Sequence, residues 1–378
     1  MRVLFLTRRG LPWGGEQTQI DCTAHALRSR GVDVSIAPEL PDDYRSYELV
    51  HFFGLDEDHI DKIRRAEDAV KVLSPVFWDK YQRFGIEWDR LPSSGIARRL
   101  ARRRSKAARL QDIARKRADQ ERRQQGLTSY LEASPPPCAE QIDYNWAAFQ
   151  DAIDLIDIFL PNSEMEMESV RRCFVFGAAP RWAVVHNAID PARIDEQSGF
   201  AARLGLERFV LCSAGIDSRK NQYNLVRAIA GMGVPLVAAG PVRESVYAQA
   251  TVELARPLGV DLRLLGALAK PDLNSLYARA TAHVLPSYHE TPGISNLEAI
   301  AHGCPNVSTK LGGLEEYVGE HSLYCNPYSV VHIRQQVLRA LEMPRNEAGA
   351  AYVRERYTWE SAAGETLAGY EQALSGRR

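Results

Sequence analysis

Short apolar runs alternate with amphipathic stretches along almost the whole 378-residue chain. Residues 3–6 are uniformly apolar, and so short a run reads as a buried strand. Ile20, Ala24 and Leu27 then recur at steps of four and three, which places them on one face of a helix over 16–30. Gly31 is the residue type that stops such a helix. Alternation over 32–36 predicts a second strand, and the runs 49–53 and 70–73 predict a third and a fourth. Runs at 156–160 and 182–185 continue the series, and the turn His186-Asn187-Ala188-Ile189-Asp190 follows. After a polar stretch the same rhythm restarts. Strands are predicted at 209–213, 235–239, 262–265 and 282–285, with helical spacing between them, as in Leu225, Ala228 and Ile229. Strands alternating with helices predict parallel, doubly wound sheets. The pattern is that of an α/β protein with two such halves and a hinge near 190–205, and it contains no sequence repeat.

Composition refines this picture without changing it. A length of 378 residues suits two domains. The 45% apolar and 25% charged content is that of an ordinary globular chain. A net charge of -1 argues against general attraction to nucleic acid. The six cysteines are scattered with no C-x-x-C pair, so neither a zinc ribbon nor a secreted disulfide framework is indicated. The first apolar run is too short for a signal-peptide core, and no run reaches the ~18 residues of a membrane span. The expected compartment is the cytoplasm.

The rhythm breaks over about 92–137. Residues 98–123 carry twelve Arg and Lys against three acids, Asp112, Asp119 and Glu121. Good helix formers without Pro or Gly predict a long helix there. Ile96, Leu100, Ala107, Leu110, Ala114 and Ala118 make one thin apolar stripe along it. Three uses compete: a solvated surface helix, a surface for anionic lipid or a lipid-linked diphosphate acceptor, and an oligomer or polyanion contact. The second would put the protein at the inner membrane face.

Three segments could carry chemistry. The first follows the strand at 282–285 and runs from Pro286 to Gly303. Ligands of open parallel sheets sit beyond the carboxyl ends of strands, so Glu290 lies in a ligand-facing loop. Pro292 and Gly293 suit a tight turn into a helix starting near Ile294 or Ser295, whose free amides suit a phosphate. Glu298 falls about one turn further on. The two carboxylates could grip sugar and ribose hydroxyls; alternatively, Glu290 answers the helix dipole and Glu298 is solvated. The second segment is Ala214-Gly215-Ile216-Asp217-Ser218, followed by Arg219 and Lys220. Two cations at a helix start oppose the dipole unless they hold an anion such as a diphosphate; the other reading is a solvated pair. The third is Pro12-Trp13-Gly14-Gly15-Glu16, where Gly14 and Gly15 allow close backbone approach or simply make a tight turn. Neither G-x-G-x-x-G nor G-x-x-x-x-G-K-[ST] is present, which disfavours a nicotinamide dehydrogenase and a P-loop protein.

Taken in order, these motifs resemble the family-4 glycosyltransferases, retaining nucleotide-sugar enzymes of GT-B fold. Glu290 and Glu298 match the family's Glu-x7-Glu. Glu298-Ala299-Ile300-Ala301-His302-Gly303-Cys304-Pro305 is similar to "EAxAxGxP", and Leu311-Gly312-Gly313-Leu314-Glu315-Glu316 to "GGxxE". Arg219-Lys220-Asn221 resembles its phosphate loop, and Asn187-Ala188-Ile189-Asp190 its "NGVD". The resemblance implies two Rossmann-like doubly wound parallel-sheet domains facing across a cleft. It implies an acceptor domain over 1–190 with the basic insert at 92–137, a donor domain over 191–356, and a terminal helix over 357–378 that packs back on the first domain.

The resemblance also implies transfer of a hexose from a nucleotide-diphosphate sugar to an acceptor hydroxyl of a glycan, a lipid-linked carrier or a small molecule, as in polysaccharide biosynthesis. Glu290, Lys220 and Arg219 would be catalytic: Glu290 on the sugar, Arg219 and Lys220 on the leaving diphosphate. Glu298 would hold the ribose. The backbone of Gly293, Ile294 and Ser295 would meet the distal phosphate, and Gly14 and Gly15 would close on the diphosphate. No cofactor and no metal are implied. Asp56-Glu57-Asp58, though of D-x-D form, reads as an acidic helix start. The chain departs from the pattern in three places. It has no Arg after the first glycine of the phosphate loop, no His in 72–78, and Ala188 in place of a glycine. An idle nucleotide-sugar-binding relative or partner subunit is the competing expectation.

Overall fold

The computed structural model describes residues 1–7, 14–55, 57–77, 146–195 and 198–376. The whole of 92–137, with its Arg-rich segment, and Pro12, Trp13 and Asp56 lie outside the described residues. The first sheet is parallel and holds β1 (Arg2–Leu6), β2 (Asp33–Ala37), β3 (Leu49–Phe53), β4 (Val70–Ser74) and β5 (Ile158–Phe159), in the order β2-β1-β3-β4-β5. The second, also parallel, holds β6 (Val210–Ser213), β7 (Leu236–Ala239), β8 (Leu262–Gly266), β9 (Ala282–Leu285), β10 (Asn306–Thr309) and β11 (Leu323–Cys325), in the order β11-β10-β9-β6-β7-β8.

Both faces of the first sheet are covered, which is why β3 and β4 are buried at every residue. One face packs on the helix Gly15–Ser29 through Ile20, Ala24 and Leu27 and on the last helix, Trp359–Ser375, through Ala363 and Tyr370. The other packs on Ile60, Phe149, Met167 and Val170 from three further helices. The last helix lies so close to β5 that a Cβ at Gly369 would meet Leu160 at 2.5 Å. Its Tyr370 hydroxyl bonds His51 Nδ1 at 2.7 Å, and the other ring nitrogen of His51 meets Ser74 Oγ at 2.9 Å. Burial holds the His51 pKa down at about 3, so the imidazole is neutral.

Two differences from the sequence pattern have physical causes. The run at 182–185 makes only a single bridge, Trp182 to Phe159, because β5 itself is two residues long. Both β10 and β11 escape the apolar pattern. Asn306, Ser308 and Thr309 make β10 polar, yet they are buried against neighbours, as in the 2.8 Å bonds from Asn306 to His283 and Ser322. The three residues of β11 are too few to show a period.

Where a doubly wound sheet reverses its strand order, the loops leaving adjacent strands diverge and open a crevice. In the second sheet that point lies between β6 and β9, and in the first between β1 and β3. The segments 214–220 and 286–293 leave β6 and β9. The Gly14-Gly15 turn follows β1.

Candidate functional site

Glu290 is placed by its backbone. Its N–H donates to Leu311 O at 3.1 Å, and the residue forms a bridge with Gly312. Gly312 makes this approach possible, since a Cβ there would meet Glu290 O at 2.5 Å. Gly293 then turns the chain into the helix Ile294–Ala301 with a φ of +88°, a left-handed value that favours glycine. A Cβ at Gly293 would lie 3.0 Å from Glu290 Oε2, so the carboxylate stands beside the start of that helix.

The cations come from the loop after β6. Asp217 accepts from Lys220 N at 3.1 Å and closes a short turn, Ser218–Lys220. Asn221 follows with a φ of 63°, and its amide donates to Pro286 O and Pro327 O, both at 2.9 Å. Asn tolerates this conformation better than most residues. The turn aims Lys220 Nζ at Glu290 Oε1, 2.5 Å away, and Arg219 Nη1 stands 3.7 Å from the same oxygen. Arg219 also donates to His289 O at 3.2 Å. Glu290 is 4% exposed. Burial alone would raise its pKa, but Lys220 and Arg219 outweigh burial and hold it below the usual range. Burial, with Arg219 alongside, draws the Lys220 pKa downward. The buried His289 has its pKa pushed down to about 3 by burial and is neutral.

Glu298 lies on the helix Ile294–Ala301, with its side chain 17% exposed. Lys270 Nζ pairs with one carboxylate oxygen, and the Tyr277 hydroxyl donates to the other at 3.1 Å. Ile294 and Ser295 are half-buried at the helix start. Across the cleft, Gly15 opens the helix Gly15–Ser29, and Gly14 O accepts from Thr18 N at 3.0 Å. A Cβ on Gly15 would stand 4.0 Å from Ile294 Cδ1, so the first domain's glycine turn faces the second domain's helix start. Thus Arg219, Lys220, Glu290 and Gly293 meet directly, Gly15 and Ile294 face each other, and Glu298 sits further along the same helix.

Three features escaped the sequence pattern. Lys270 and Tyr277 belong to no motif and reach Glu298 only through the packing of separate helices. In the loop after β6, where the resemblance leads one to expect an arginine, the Arg243 side chain lies over Gly215; a Cβ there would stand 2.7 Å from its Nε. Glu316, though part of a motif, has a role that spacing does not reveal. Its carboxylate accepts from Glu164 N and Met165 N, both at 2.8 Å, and so caps the first-domain helix Glu164–Cys173. Beside it, the Tyr317 hydroxyl donates to Asn162 O at 2.5 Å and accepts from Asn187 N at 2.8 Å.

On the first-domain wall, Val76 holds a φ of 42°, a strained value for a β-branched residue. It follows β4, in the stretch where the resemblance led one to look for a His. The buried Glu166 clamps this turn, accepting from Phe77 N at 2.5 Å and Asn162 N at 2.6 Å. Among the described residues, no three His, Cys, Asp or Glu side chains cluster as metal ligands would, and no helix is long and apolar enough to cross a membrane.

Known proteins agree with this architecture. Sucrose-phosphate synthase from Thermosynechococcus elongatus superposes with a TM-score of 0.72 at 16% identity, over 99% of both chains. Anabaena HepE, solved in complex with UDP and glucose, gives 0.68 at 15% identity over 98% of this chain and 99% of its own. At such identities the likeness is one of fold: two Rossmann-like parallel-sheet domains in the GT-B arrangement. Residues 195–356 match the family described as Glycosyl transferases group 1. That match and the GT-B neighbours support the resemblance to the family-4 glycosyltransferases. A D-inositol 3-phosphate glycosyltransferase from Streptomyces bingchenggensis is 28% identical over 271 residues, which cover 65% of this chain and 58% of that protein.

Proposed function

We propose that the protein transfers a hexose from a nucleotide-diphosphate sugar to an acceptor hydroxyl, with retention at the anomeric carbon. The observation that carries this reading is the convergence of Lys220 and Arg219 on the Glu290 carboxylate, beside a helix start at the switch point of the second sheet. The curated relative named above supports the substrate class, as does the HepE structure by its UDP and glucose.

In this mechanism the donor diphosphate lies against Lys220, Arg219 and the amides at the start of Ile294–Ala301. These groups neutralise the charge that grows as the sugar–phosphate bond breaks. They are already oriented, which is where preorganised electrostatics gain most. Glu290 accepts hydrogen bonds from hydroxyls of the transferred ring, and Glu298 from those of the ribose. No protein nucleophile is needed, because the departing phosphate oxygen takes the acceptor's proton on the face it leaves. The cleft closes on the donor through Gly14 and Gly15.

The first test is thermal stabilisation by a panel of UDP-, GDP- and ADP-sugars; a ligand at 100 times its Kd should add ~2.7 kcal/mol. The second is turnover with the donor so found. Lys220→Ala and Glu290→Ala should each lose ~10²–10³ in kcat, and activity should survive a chelator. Since removing one partner strands a buried charge, the paired variant Lys220→Met/Glu290→Gln should recover stability but not turnover. Near-normal turnover in both single variants sinks the proposal. Stabilisation without any turnover supports an idle binding protein instead.

A further inference from the structure

Glu298 is held by two groups to which the mechanism assigns no part. Lys270 Nζ pairs with one carboxylate oxygen, and the Tyr277 hydroxyl donates to the other at 3.1 Å. Neither placement is explained locally. Lys270 is the first residue of the helix Lys270–Arg279, where a cation stands against the helix dipole, so its stabilising partner is Glu298 on the neighbouring helix. Tyr277 is fully buried, a costly place for a hydroxyl unless it has a partner. Its ring is fixed edge-on to His283 at 5.6 Å and tilted against His302 at 5.3 Å. Burial raises its pKa well above the ordinary value, so the hydroxyl keeps its proton and remains a donor.

A free glutamate samples many rotamers, and its ionised form is disfavoured beside a diphosphate. Here one oxygen is neutralised by an ammonium and the other fixed by a hydroxyl on a rigid ring. Each oxygen still has a lone pair to offer outward. We infer that Lys270 and Tyr277 are positioning residues that hold the Glu298 carboxylate as a pre-aimed acceptor for both ribose hydroxyls, and so set the preference for ribonucleotides over 2′-deoxyribonucleotides. The inference rests on the proposal that Glu298 meets the donor's ribose.

The experiment is calorimetric titration of the full chain with UDP, GDP and ADP and with their 2′-deoxy counterparts. For the best-bound diphosphate, the wild type should favour the ribose form by roughly tenfold or more, the strength of a hydrogen bond to a charged group. Glu298→Gln should collapse that ratio. Lys270→Met and Tyr277→Phe should bring it to within about threefold, mainly by weakening the ribose form, and Lys270→Arg should retain it. With the sugar donor, both variants should raise KM more than they lower kcat, as expected for groups remote from the reacting bond. If no diphosphate binds the wild type, or Glu298→Gln keeps the ratio, the placement of the ribose fails and the inference falls with it. If Glu298→Gln collapses the ratio while Lys270→Met and Tyr277→Phe keep the wild-type value, the inference alone is overturned.

Discussion

Glu166 shows how much one side chain can do away from the proposed chemistry. It is buried, and each of its oxygens accepts a backbone N–H, from Phe77 and from Asn162. Burial pushes its pKa from 4.5 up to about 7, against the pull of those two bonds, and the charge of Glu316 adds to the rise. A carboxyl whose pKa is raised on folding stabilises the protein fully below its unfolded pKa and loses that contribution as pH rises through the folded one. The wild type should therefore lose on the order of 3 kcal/mol from this group between pH 4.5 and 7. Melting temperatures across that window should fall more steeply for the wild type than for Glu166→Gln; equal slopes would contradict the assignment. The candidate pair Glu290 and Glu298 is legible at this scale, because an eight-residue spacing and a following glycine-rich run are sequence features. The partners Lys270 and Tyr277 are not, because each lies more than twenty residues from Glu298.

Among elements, the short helix Leu314–Val318 has the widest reach. It begins two residues after Gly312, which bridges to Glu290, and its Glu316 caps a helix of the other domain. One turn thus ties the Glu290 carboxylate to the first domain. Losing such a cap typically costs about 0.5–2 kcal/mol. Glu316→Ala should cause that loss and should speed hydrogen exchange at the amides of Glu164 and Met165, while Glu315→Ala on the adjacent position should do neither. Unchanged protection in Glu316→Ala would remove the tie. Elements with an apolar run or alternation, β1 through β9, are readable in the sequence. The polar β10 is not, since its buried Asn306 and Ser308 are satisfied by partners from elsewhere in the fold: His283, Ser322, and Asn296 of the helix Ile294–Ala301.

At the scale of the whole molecule, the last helix holds the first sheet together. Tyr370 buries its ring on that sheet and closes a chain of bonds to His51 and Ser74. Tyr370→Phe leaves a buried, neutral imidazole short of a partner, which should cost about 1–3 kcal/mol. Urea titration should place that loss in the transition of the first domain. If the second domain's transition shifts instead, the helix serves a different body from the one it touches. What the sequence alone determined is the local physics: which runs are buried, where turns fall, and which acidic and basic residues follow which strands. Those are properties of neighbours in the chain, set by periodicity and backbone preference. Only the tertiary structure decided which charges meet, which partners hold Glu298, and how Glu316 reaches the first domain. Each of these joins groups distant in sequence, and such distances are set by packing, which no local pattern encodes.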